Sequence, residues 1–402
     1  MADFYQTGVV TTLHRLGETR LDRLEAELVE FTETRPLTLV IPALASEMDG
    51  PALPHIVEVL ADVPYLYRVV IGLDAASRTD FERARRFFGT PRRRTDILWR
   101  DGPRVQELYR RLDGAQIFTG TPGKGRIVWL ALGCVLGDPH SRSIALHDAD
   151  IVTYQRDLLA RLCYPVVNPS LGYEYAKGYY ARITDRMYGR VARLFVTPLI
   201  RTLFKFVGYH PLLVFLDSFR YPLAGEFAMD EDLARVMRIP SDWGLEIGLL
   251  GEVYRNLTTR RVCEVDIADA YEHKHKPLEL DWPQSGLFKM AVDIAKSLFV
   301  TLTQEGIEVS EGFFRSVRAA YLRMAQDQVR RYADDAAINH LVFDRHAEGT
   351  AVEIFAKAIE VAAGEVYQDP LGSPTIPQWA RVTSALPDLL DELAAAVEAD
   401  NR

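Results

Sequence analysis

The alternation of short apolar runs with segments of helical spacing between residues 37 and 150 limits the fold of this chain more than any other feature. Runs rich in β-branched residues predict strands, whereas apolar residues three or four positions apart predict helices. Strands and helices that alternate in this way are typical of a parallel, doubly wound sheet. We therefore predict an α/β fold with a Rossmann-like, mostly parallel sheet flanked by helices. The predicted strands are residues 37–42, 67–73, 96–99 and 144–146, and the predicted helices include residues 52–61, residues 105–112 and a long segment that ends at Leu136.

The residues that follow these predicted strands are polar or rich in glycine. Open α/β sheets bind ligands at the carboxyl ends of their strands, so residues 42–47, Asp74, residues 121–126 and the pair Asp148 and Asp150 are expected to meet at one edge. Two carboxylates one residue apart can point the same way, and together with substrate phosphates they could bind a divalent cation. Taken singly, each segment is more often a turn, a helix cap or a strand exit.

Two familiar nucleotide-binding motifs are absent. The glycines around Lys124 lack the Gly-x-x-x-x-Gly-Lys-Ser/Thr spacing of a P-loop, and no Gly-x-Gly-x-x-Gly follows the first predicted strand. These absences disfavour a P-loop protein and a dinucleotide-dependent dehydrogenase. Lys124 near the start of a predicted helix could still contact a phosphate as a point charge.

The composition argues against several broad classes of protein. A formal net charge of −9 disfavours a general nucleic-acid binder, which needs a basic surface. The cysteines at 134, 163 and 263 are far apart and indicate neither a zinc site nor a disulfide framework. The amino terminus does not look like a cleaved secretion signal, and no uninterrupted apolar run is long enough to span a membrane. We expect a cytoplasmic protein.

A set of ordered motifs lies between residues 36 and 280. They are Val40-Ile41-Pro42-Ala43-Leu44 with Glu47, Asp74, Gly123-Lys124-Gly125, Asp148-Ala149-Asp150, Pro222-Leu223-Ala224-Gly225-Glu226-Phe227, Trp243-Gly244-Leu245-Glu246-Ile247-Gly248 and His273-Lys274-His275-Lys276-Pro277. Together they resemble the glucosyl-3-phosphoglycerate synthases and their mannosyl-3-phosphoglycerate relatives, which are retaining glycosyltransferases of the GT-A fold. The resemblance implies transfer of glucose from a nucleoside diphosphate sugar, with UDP-glucose as the expected donor, to 3-phosphoglycerate.

The resemblance also implies which residues bind the donor and the metal. Asp150 would bind a divalent cation, Mg²⁺ or Mn²⁺, and His273 would complete the metal site, whereas Asp148 would serve the nucleotide. Such a cation offsets the charge on a leaving nucleoside diphosphate. Without the resemblance, His273 and His275 between lysines would suggest only a solvated loop. The residues implied to bind the nucleotide sugar are Pro42, Ala43, Leu44, Glu47, Asp74, Gly123, Lys124, Asp148, Ala149 and Glu246.

The acceptor site implied by the resemblance is centred on Arg190. A guanidinium group can bind a phosphate through two hydrogen bonds, although Arg190 alone could equally be an ordinary residue on a helix surface. The backbone carbonyl of Leu223 would orient the acceptor hydroxyl. The resemblance implies that Leu223, Glu246 and Asp150 are the catalytic residues. No side-chain nucleophile is evident by spacing, which favours front-face displacement. The residues implied to bind the acceptor are Gly189, Arg190, Gly225 and His275.

The chain divides into three expected regions. Residues 1–35 form a helical arm, residues 36–280 form the GT-A core, and residues 281–402 form a helical extension that packs on the core or builds a dimer interface. Within the core, residues 36–154 are the nucleotide-sugar half and residues 155–280 the acceptor half. We expect a homodimer.

Other activities stay open at this point. A mannosyl-3-phosphoglycerate synthase that uses GDP-mannose shares the same motifs. A sugar-phosphate nucleotidylyltransferase shares the nucleotide-binding sheet, but normally has a glycine-rich, basic loop where this chain has residues 42–47. A processive polysaccharide synthase would need membrane spans or a motif for a growing chain, and a nucleotide-binding module without activity would not need the metal and acceptor motifs.

Overall fold

The computed structural model describes residue 6 and residues 8–89, 94–272, 286–371 and 375–402. Its strands form one sheet and are β1 Thr11–Leu13, β2 Leu37–Leu44, β3 Leu66–Asp74, β4 Thr95–Trp99, β5 Ser143–Leu146, β6 Tyr175–Tyr180, β7 Phe227–Asp230 and β8 Val262–Ala268.

Helices connect the strands and fill the carboxyl-terminal region. They are α1 Leu21–Thr32, α2 Ala52–Ala61, α3 Arg78–Phe88, α4 Pro103–Gly114, α5 Lys124–Leu136, α6 Arg156–Val167, α7 Thr197–Val207, α8 Pro211–Asp217, α9 Glu231–Val236, α10 Leu245–Asn256, α11 Gly286–Gln304, α12 Glu311–Ile338, α13 Arg345–Gln368, α14 Trp379–Ala385 and α15 Leu389–Asn401. A π-helical turn at Val191–Val196 leads into α7. No helix of the described residues has the length and apolar composition needed to cross a membrane.

The sheet order is β1-β8-β6-β7-β5-β2-β3-β4. Strand β7 runs antiparallel to both of its neighbours, and every other pairing among the described strands is parallel. The mostly parallel α/β sheet expected from the sequence is therefore confirmed. Because β7 is reversed, the residues that precede it lie at the same edge as the residues that follow the parallel strands.

Successive residues of the central strands face opposite sides of the sheet and build two cores. Val40, Val70 and Leu98 belong to one core, and their neighbours Leu39, Val69 and Ile97 belong to the other. Both sides are covered by helices, as a parallel sheet requires. The second core includes α1, α2, α3 and α6, whereas the first includes α4, α5 and the helices of the carboxyl-terminal region.

The carboxyl-terminal helices pack directly on the sheet core. Trp379 of α14 stacks on Trp129 of α5 with ring centroids 4.2 Å apart. Each indole N–H donates to a backbone carbonyl of the other segment, Trp129 to Pro377 and Trp379 to Trp129, both at 2.9 Å. Gly133 gives the ring its space, because a Cβ atom there would lie 2.0 Å from the Trp379 ring. Of the two roles predicted for the helical extension, packing on the core is the one observed.

The last described helix also covers an edge of the sheet. The side-chain amide of Asn401 donates to the carbonyl of Ile97 at 2.9 Å and accepts from the Ile97 N–H at 3.0 Å. The outer edge of β4 therefore has a hydrogen-bonding partner at this position.

Three local expectations were wrong. Residues 11–13 form strand β1 instead of a helix, because they pair in register with β8 and tertiary pairing overrides helical spacing. Helical spacing at residues 335–343 predicts a separate helix there, but residues 335–338 are the end of α12, which stops at Ile338. Strand β2 continues through Pro42 to Leu44. The backbone of Val40 faces β5, because its carbonyl accepts a hydrogen bond from the N–H of His147. The backbone of Pro42, two residues later, faces the same side, but β5 has already ended there. The N–H that proline lacks therefore costs no hydrogen bond between strands.

Candidate active site

The segments predicted to bind substrates meet at one edge of the sheet. Strands β2, β3 and β5 end there, and the reversed strand β7 begins there after residues 222–226. Helices α5 and α10 each precede a strand that runs toward this edge, so their first turns lie at the edge too. Strand topology therefore brings together residues that are far apart in sequence.

Lys124 joins the two helix starts to the aspartate loop. Its Nζ atom lies 2.6 Å from Oδ1 of Asp148 and donates to Oε1 of Glu246 at 3.2 Å. Burial opposes the charge on Lys124, but the two carboxylates more than offset it and hold the pKa of the lysine above its ordinary value. The structure thus brings together three residues that the sequence assigned to the nucleotide sugar, including Glu246 in the first turn of α10.

Gly225 packs against the carboxylate of Asp148. A Cβ atom at Gly225 would lie 2.5 Å from Oδ2 of Asp148, so a larger residue would displace one of the two loops. The expected acceptor segment therefore touches the expected donor segment at this point.

The loop that carries both aspartates is fixed from behind by His147. The ring of His147 is fully buried against Tyr154, and its Nδ1 donates to the carbonyl of Asp148 at 2.9 Å. Burial lowers the pKa of His147 to about 4, so the imidazole is neutral at physiological pH. Sequence reasoning gave His147 no role, although a histidine directly before the aspartates was visible.

Asp148 and Asp150 are the two carboxylates of the loop that follows β5. Both are half-buried in the turn after β5, with the buried Ala149 between them. The described residues contain no group of three His, Cys, Asp or Glu side chains arranged for a metal, and the predicted ligand His273 and its neighbour His275 lie outside these residues. Hard divalent cations commonly bind one or two carboxylates together with substrate phosphates, so this pair fits a cation that arrives with a nucleoside diphosphate.

Residues 42–47, the first segment predicted to bind the nucleotide, begin as part of strand β2 and not as a loop. Ala43 and Leu44 pair with Leu73 and Asp74 in the β2–β3 ladder, and Glu47 lies in the short 3₁₀ turn Ala45–Asp49. The extension of β2 thus places Leu44 directly beside Asp74.

Asp74 is held by a partner that sequence reasoning missed. Its Oδ1 accepts from the Ala75 N–H at 2.9 Å and pairs with Nε of Arg100. Nη2 of Arg100 also lies 2.9 Å from Oδ1 of Asp101. The signal was faint, because Arg100 and Asp101 only follow the strand that ends at Trp99.

Lys177 of β6 lies entirely inside the protein, beneath residues 222–226. The side chain is 1% exposed, and Nζ donates to the carbonyl of Ala224 at 2.7 Å. Burial lowers the pKa of Lys177 to about 8, against the opposing effect of Glu246 and Glu226. Lys177 therefore fixes the loop that contains Leu223 and Gly225.

A second buried group supports the same loop. Glu226 is fully buried and accepts from Tyr180 at 2.8 Å and from Tyr271 at 2.5 Å, and the two tyrosine rings stack 3.6 Å apart. Burial and the nearby charge of Asp148 raise the pKa of Glu226. In the sequence, a glutamate within the mostly apolar segment 222–228 was the signal that could have indicated this buried group.

Gly189 and Arg190 follow β6 and lead into the π-helical turn. Gly189 has φ of 72°, a left-handed conformation that favours glycine. Nε of Arg190 donates to Oε1 of Glu348 in α13 at 2.7 Å. The expected acceptor arginine is therefore in contact with the carboxyl-terminal helices, which the sequence did not predict.

Comparisons with known proteins agree with this architecture. No protein-family model matches the chain. A crystal structure of glucosyl-3-phosphoglycerate synthase from Mycobacterium tuberculosis, in complex with Mn²⁺, UDP-glucose and phosphoglyceric acid, superposes with a TM-score of 0.54 at 23% identity, over 75% of this chain and 89% of that chain. Another structure of that enzyme contains Mg²⁺ and UDP. These structures show that the chain shares the fold of that enzyme, the GT-A fold.

Two curated relatives identify the family. Glucosyl-3-phosphoglycerate synthase from Persephonella marina is 48% identical over 401 residues, which is 100% of this chain and 99% of the relative. The enzyme of the same name from Methanococcoides burtonii is 41% identical and covers 99% of this chain and 98% of the relative. The chain belongs to the glucosyl-3-phosphoglycerate synthase family and is an enzyme, as the sequence motifs indicated.

Proposed function

We propose that this enzyme transfers glucose from UDP-glucose to 3-phosphoglycerate, with retention of the anomeric configuration and with a divalent cation. Likeness over the full length to two glucosyl-3-phosphoglycerate synthases supports the substrates. The single structural observation that carries the proposal is the contact of Lys124 with both Asp148 and Glu246 next to Gly225. This contact supports a common binding place for a diphosphate, a sugar and an acceptor.

In this proposal, residues 36–154 bind the donor. Asp150 would hold Mg²⁺ or Mn²⁺ with the diphosphate, His273 would complete that site, and Asp148 would serve the nucleotide. When bound, the cation would neutralise charge that develops on the leaving nucleoside diphosphate. Lys124 adds a fixed positive charge beside it, and Asp74 and residues 42–47 bind the nucleoside.

The reacting groups would lie between the two halves of the core. Glu246, held by Lys124, would accept hydrogen bonds from sugar hydroxyls. Lys177 holds the carbonyl of Ala224, and Tyr180 holds the carboxylate of Glu226, so residues 222–226 are fixed. The Leu223 carbonyl can then orient the acceptor hydroxyl toward the anomeric carbon. We infer front-face displacement without a covalent glycosyl enzyme. A sugar adduct trapped on Glu246 and seen by intact-protein mass spectrometry would contradict that mechanism.

The substrate assignment is tested with a panel of donors. UDP-, GDP- and ADP-linked glucose and mannose are each incubated with 3-phosphoglycerate and Mg²⁺ or Mn²⁺, and the products are analysed by mass spectrometry. We expect glucosyl-3-phosphoglycerate from UDP-glucose and loss of turnover when the cation is chelated. Preference for GDP-mannose would favour the mannosyl alternative. Release of nucleoside diphosphate without a glycosylated product under every combination would refute the proposal.

The acceptor site is tested at Arg190. Replacing Arg190 by Ala should raise the KM for 3-phosphoglycerate by about tenfold or more, because a charge-assisted bidentate contact is lost. The KM for the donor should change far less. Equal effects on both constants would sink the assignment of Arg190 to the acceptor.

Two further expectations remain predictions. A homodimer would be detected by sedimentation velocity, and a cytoplasmic location by fractionation of the source cells.

A further inference from the structure

The carboxyl-terminal region covers the segment that contains the expected acceptor arginine. The backbone N–H of Val342 donates to the carbonyl of Asp185 at 2.8 Å, and Val342 forms a β-bridge with Arg186. Helix α12 contacts the following turn, where the hydroxyl of Tyr321 donates to the carbonyl of Leu194 at 2.8 Å. The loop before α13 and helix α12 thus hold residues 185–194 from both ends.

Glu348, in the first turn of α13, is the charged residue at the centre of this contact. Its side chain is only 5% exposed, its Oε1 accepts from Arg190, and its Oε2 lies 2.5 Å from Nη2 of Arg193. Arg193 is itself fixed, since its Nε donates to the carbonyl of Tyr188 and its guanidinium lies over the ring of Tyr332, 5.1 Å from the centroid. A carboxylate clamped in this way cannot easily move.

The contact leaves Arg190 able to take a second partner. Glu348 uses the Nε atom, which leaves the terminal nitrogens of the guanidinium fork, and 34% of the Arg190 side chain is exposed. Arg190 and Arg193 both contact Glu348, and the donors that Arg190 does not use for Glu348 can bind an anion. An arginine whose plane is already fixed loses less rotamer freedom when it binds a phosphate.

We propose that Glu348 is a positioning residue for the acceptor phosphate, acting through Arg190. The carboxyl-terminal helices are then part of the acceptor site as well as part of the core. This inference rests on the proposed function, because it takes Arg190 to be the residue that binds the phosphate of 3-phosphoglycerate.

A double-mutant cycle tests the inference. Glu348→Gln, Arg190→Ala and the double variant are compared with the unchanged enzyme at saturating donor. Glu348→Gln should raise the acceptor KM by about tenfold and the donor KM by less than about twofold. In the Arg190→Ala background the same change should raise the acceptor KM by less than about twofold, because the residue through which Glu348 acts is gone.

Two further variants separate positioning from folding. Glu348→Asp keeps the charge and should give an acceptor KM between those of the unchanged enzyme and Glu348→Gln. It also serves if the Gln variant does not fold. Glu365→Gln on the same helix removes an ion pair with Lys296 of α11, 2.6 Å away, and should leave both constants unchanged. Thermal melting of every variant reports on folding.

The outcomes distinguish the inference from the proposed function. Equal rises in both KM values, or a full effect of Glu348→Gln in the Arg190→Ala background, would show that Glu348 has a structural role only and would overturn the inference. The assignment of Arg190 would then stand if Arg190→Ala still raised the acceptor KM alone. An Arg190→Ala variant with an unchanged acceptor KM would overturn both.

Discussion

The side of the site proposed to bind the donor and the side proposed to bind the acceptor are built in different ways. On the donor side, the residues belong to the sheet and its direct connections. Asp74 ends β3, Asp148 follows β5, and Lys124 begins α5. On the acceptor side, Arg190 lies in a connection that depends on α12 and α13, more than a hundred residues away in sequence. Sheet topology thus fixes the donor side, whereas packing by a distant region fixes the acceptor side.

The largest effect is expected on the donor side, at Asp150. Replacing Asp150 by Ala should lower kcat by about 10³-fold or more, because a cation that stabilises the leaving diphosphate supplies several kcal/mol. The matched variant Asp148→Ala should lose less, since we assign Asp148 mainly to the nucleotide. Initial rates at saturating substrates with Mg²⁺ or Mn²⁺ test this order. A more severe loss at Asp148 would reverse the assigned roles.

A stability measurement tests whether the carboxyl-terminal helices are part of the core. Trp379→Ala should lower the free energy of unfolding by about 3–5 kcal/mol, because a fully buried aromatic side chain is removed. Ile338→Ala at the exposed end of α12 should change it by less than about 0.5 kcal/mol. Urea denaturation measures both. Two separate unfolding transitions in the unchanged protein would contradict a shared core.

Lys177 lies beneath the loop between the two sides and should make stability depend on pH. Burial lowers its pKa to about 8 in the folded chain, against 10.5 as the ordinary value, so the unfolded chain holds the proton at pH values where the folded chain has released it. The free energy of unfolding should therefore rise by about 3 kcal/mol between pH 8 and pH 10.5, relative to the Lys177→Met variant.

Urea denaturation at pH 7.5, 8.5 and 9.5 checks this difference. The exposed Lys205 provides a control, because Lys205→Met should leave the pH profile unchanged. Parallel profiles for the unchanged protein and Lys177→Met would show that Lys177 does not titrate in this range.

The smallest effect sharpens the contrast with Arg190. Lys124→Met removes the cation between Asp148 and Glu246 and should raise the donor KM by about tenfold, with little change in the acceptor KM. Lys124→Arg keeps the charge and should lose less. Steady-state kinetics with each substrate varied in turn gives both constants. A rise in the acceptor KM of equal size would mean that the two sides are not independent.

The same contrast explains how far the sequence predicts the structure. Asp74 and Asp148 were placed correctly at strand ends because alternation of strands and helices is a local signal, and parallel strands end at one edge. The ordered motifs led to the family, which the relatives confirm. Pairing of β1 with β8 was missed because it depends on an edge that forms only in the folded chain.

The partners of charged residues were beyond the sequence. Periodicity shows that Glu348 lies on a helix, but nothing local shows that it meets Arg190, 158 positions earlier. A lysine normally reaches solvent, so nothing local shows that Lys177 is buried; only the packing of residues 222–226 over it shows the burial. Such contacts depend on which loops cover one another.

The hydrogen bonds of Asn401 with Ile97 have a consequence for how the protein behaves in solution. An outer strand with free N–H and C=O groups can recruit a strand from another molecule, and natural proteins block this route to aggregation. At the end of α15, the side chain of Asn401 pairs with the N–H and C=O groups of Ile97 in β4. Replacing Asn401 by Ala would change no residue of the proposed site and would still open β4 at Ile97 to pairing between molecules.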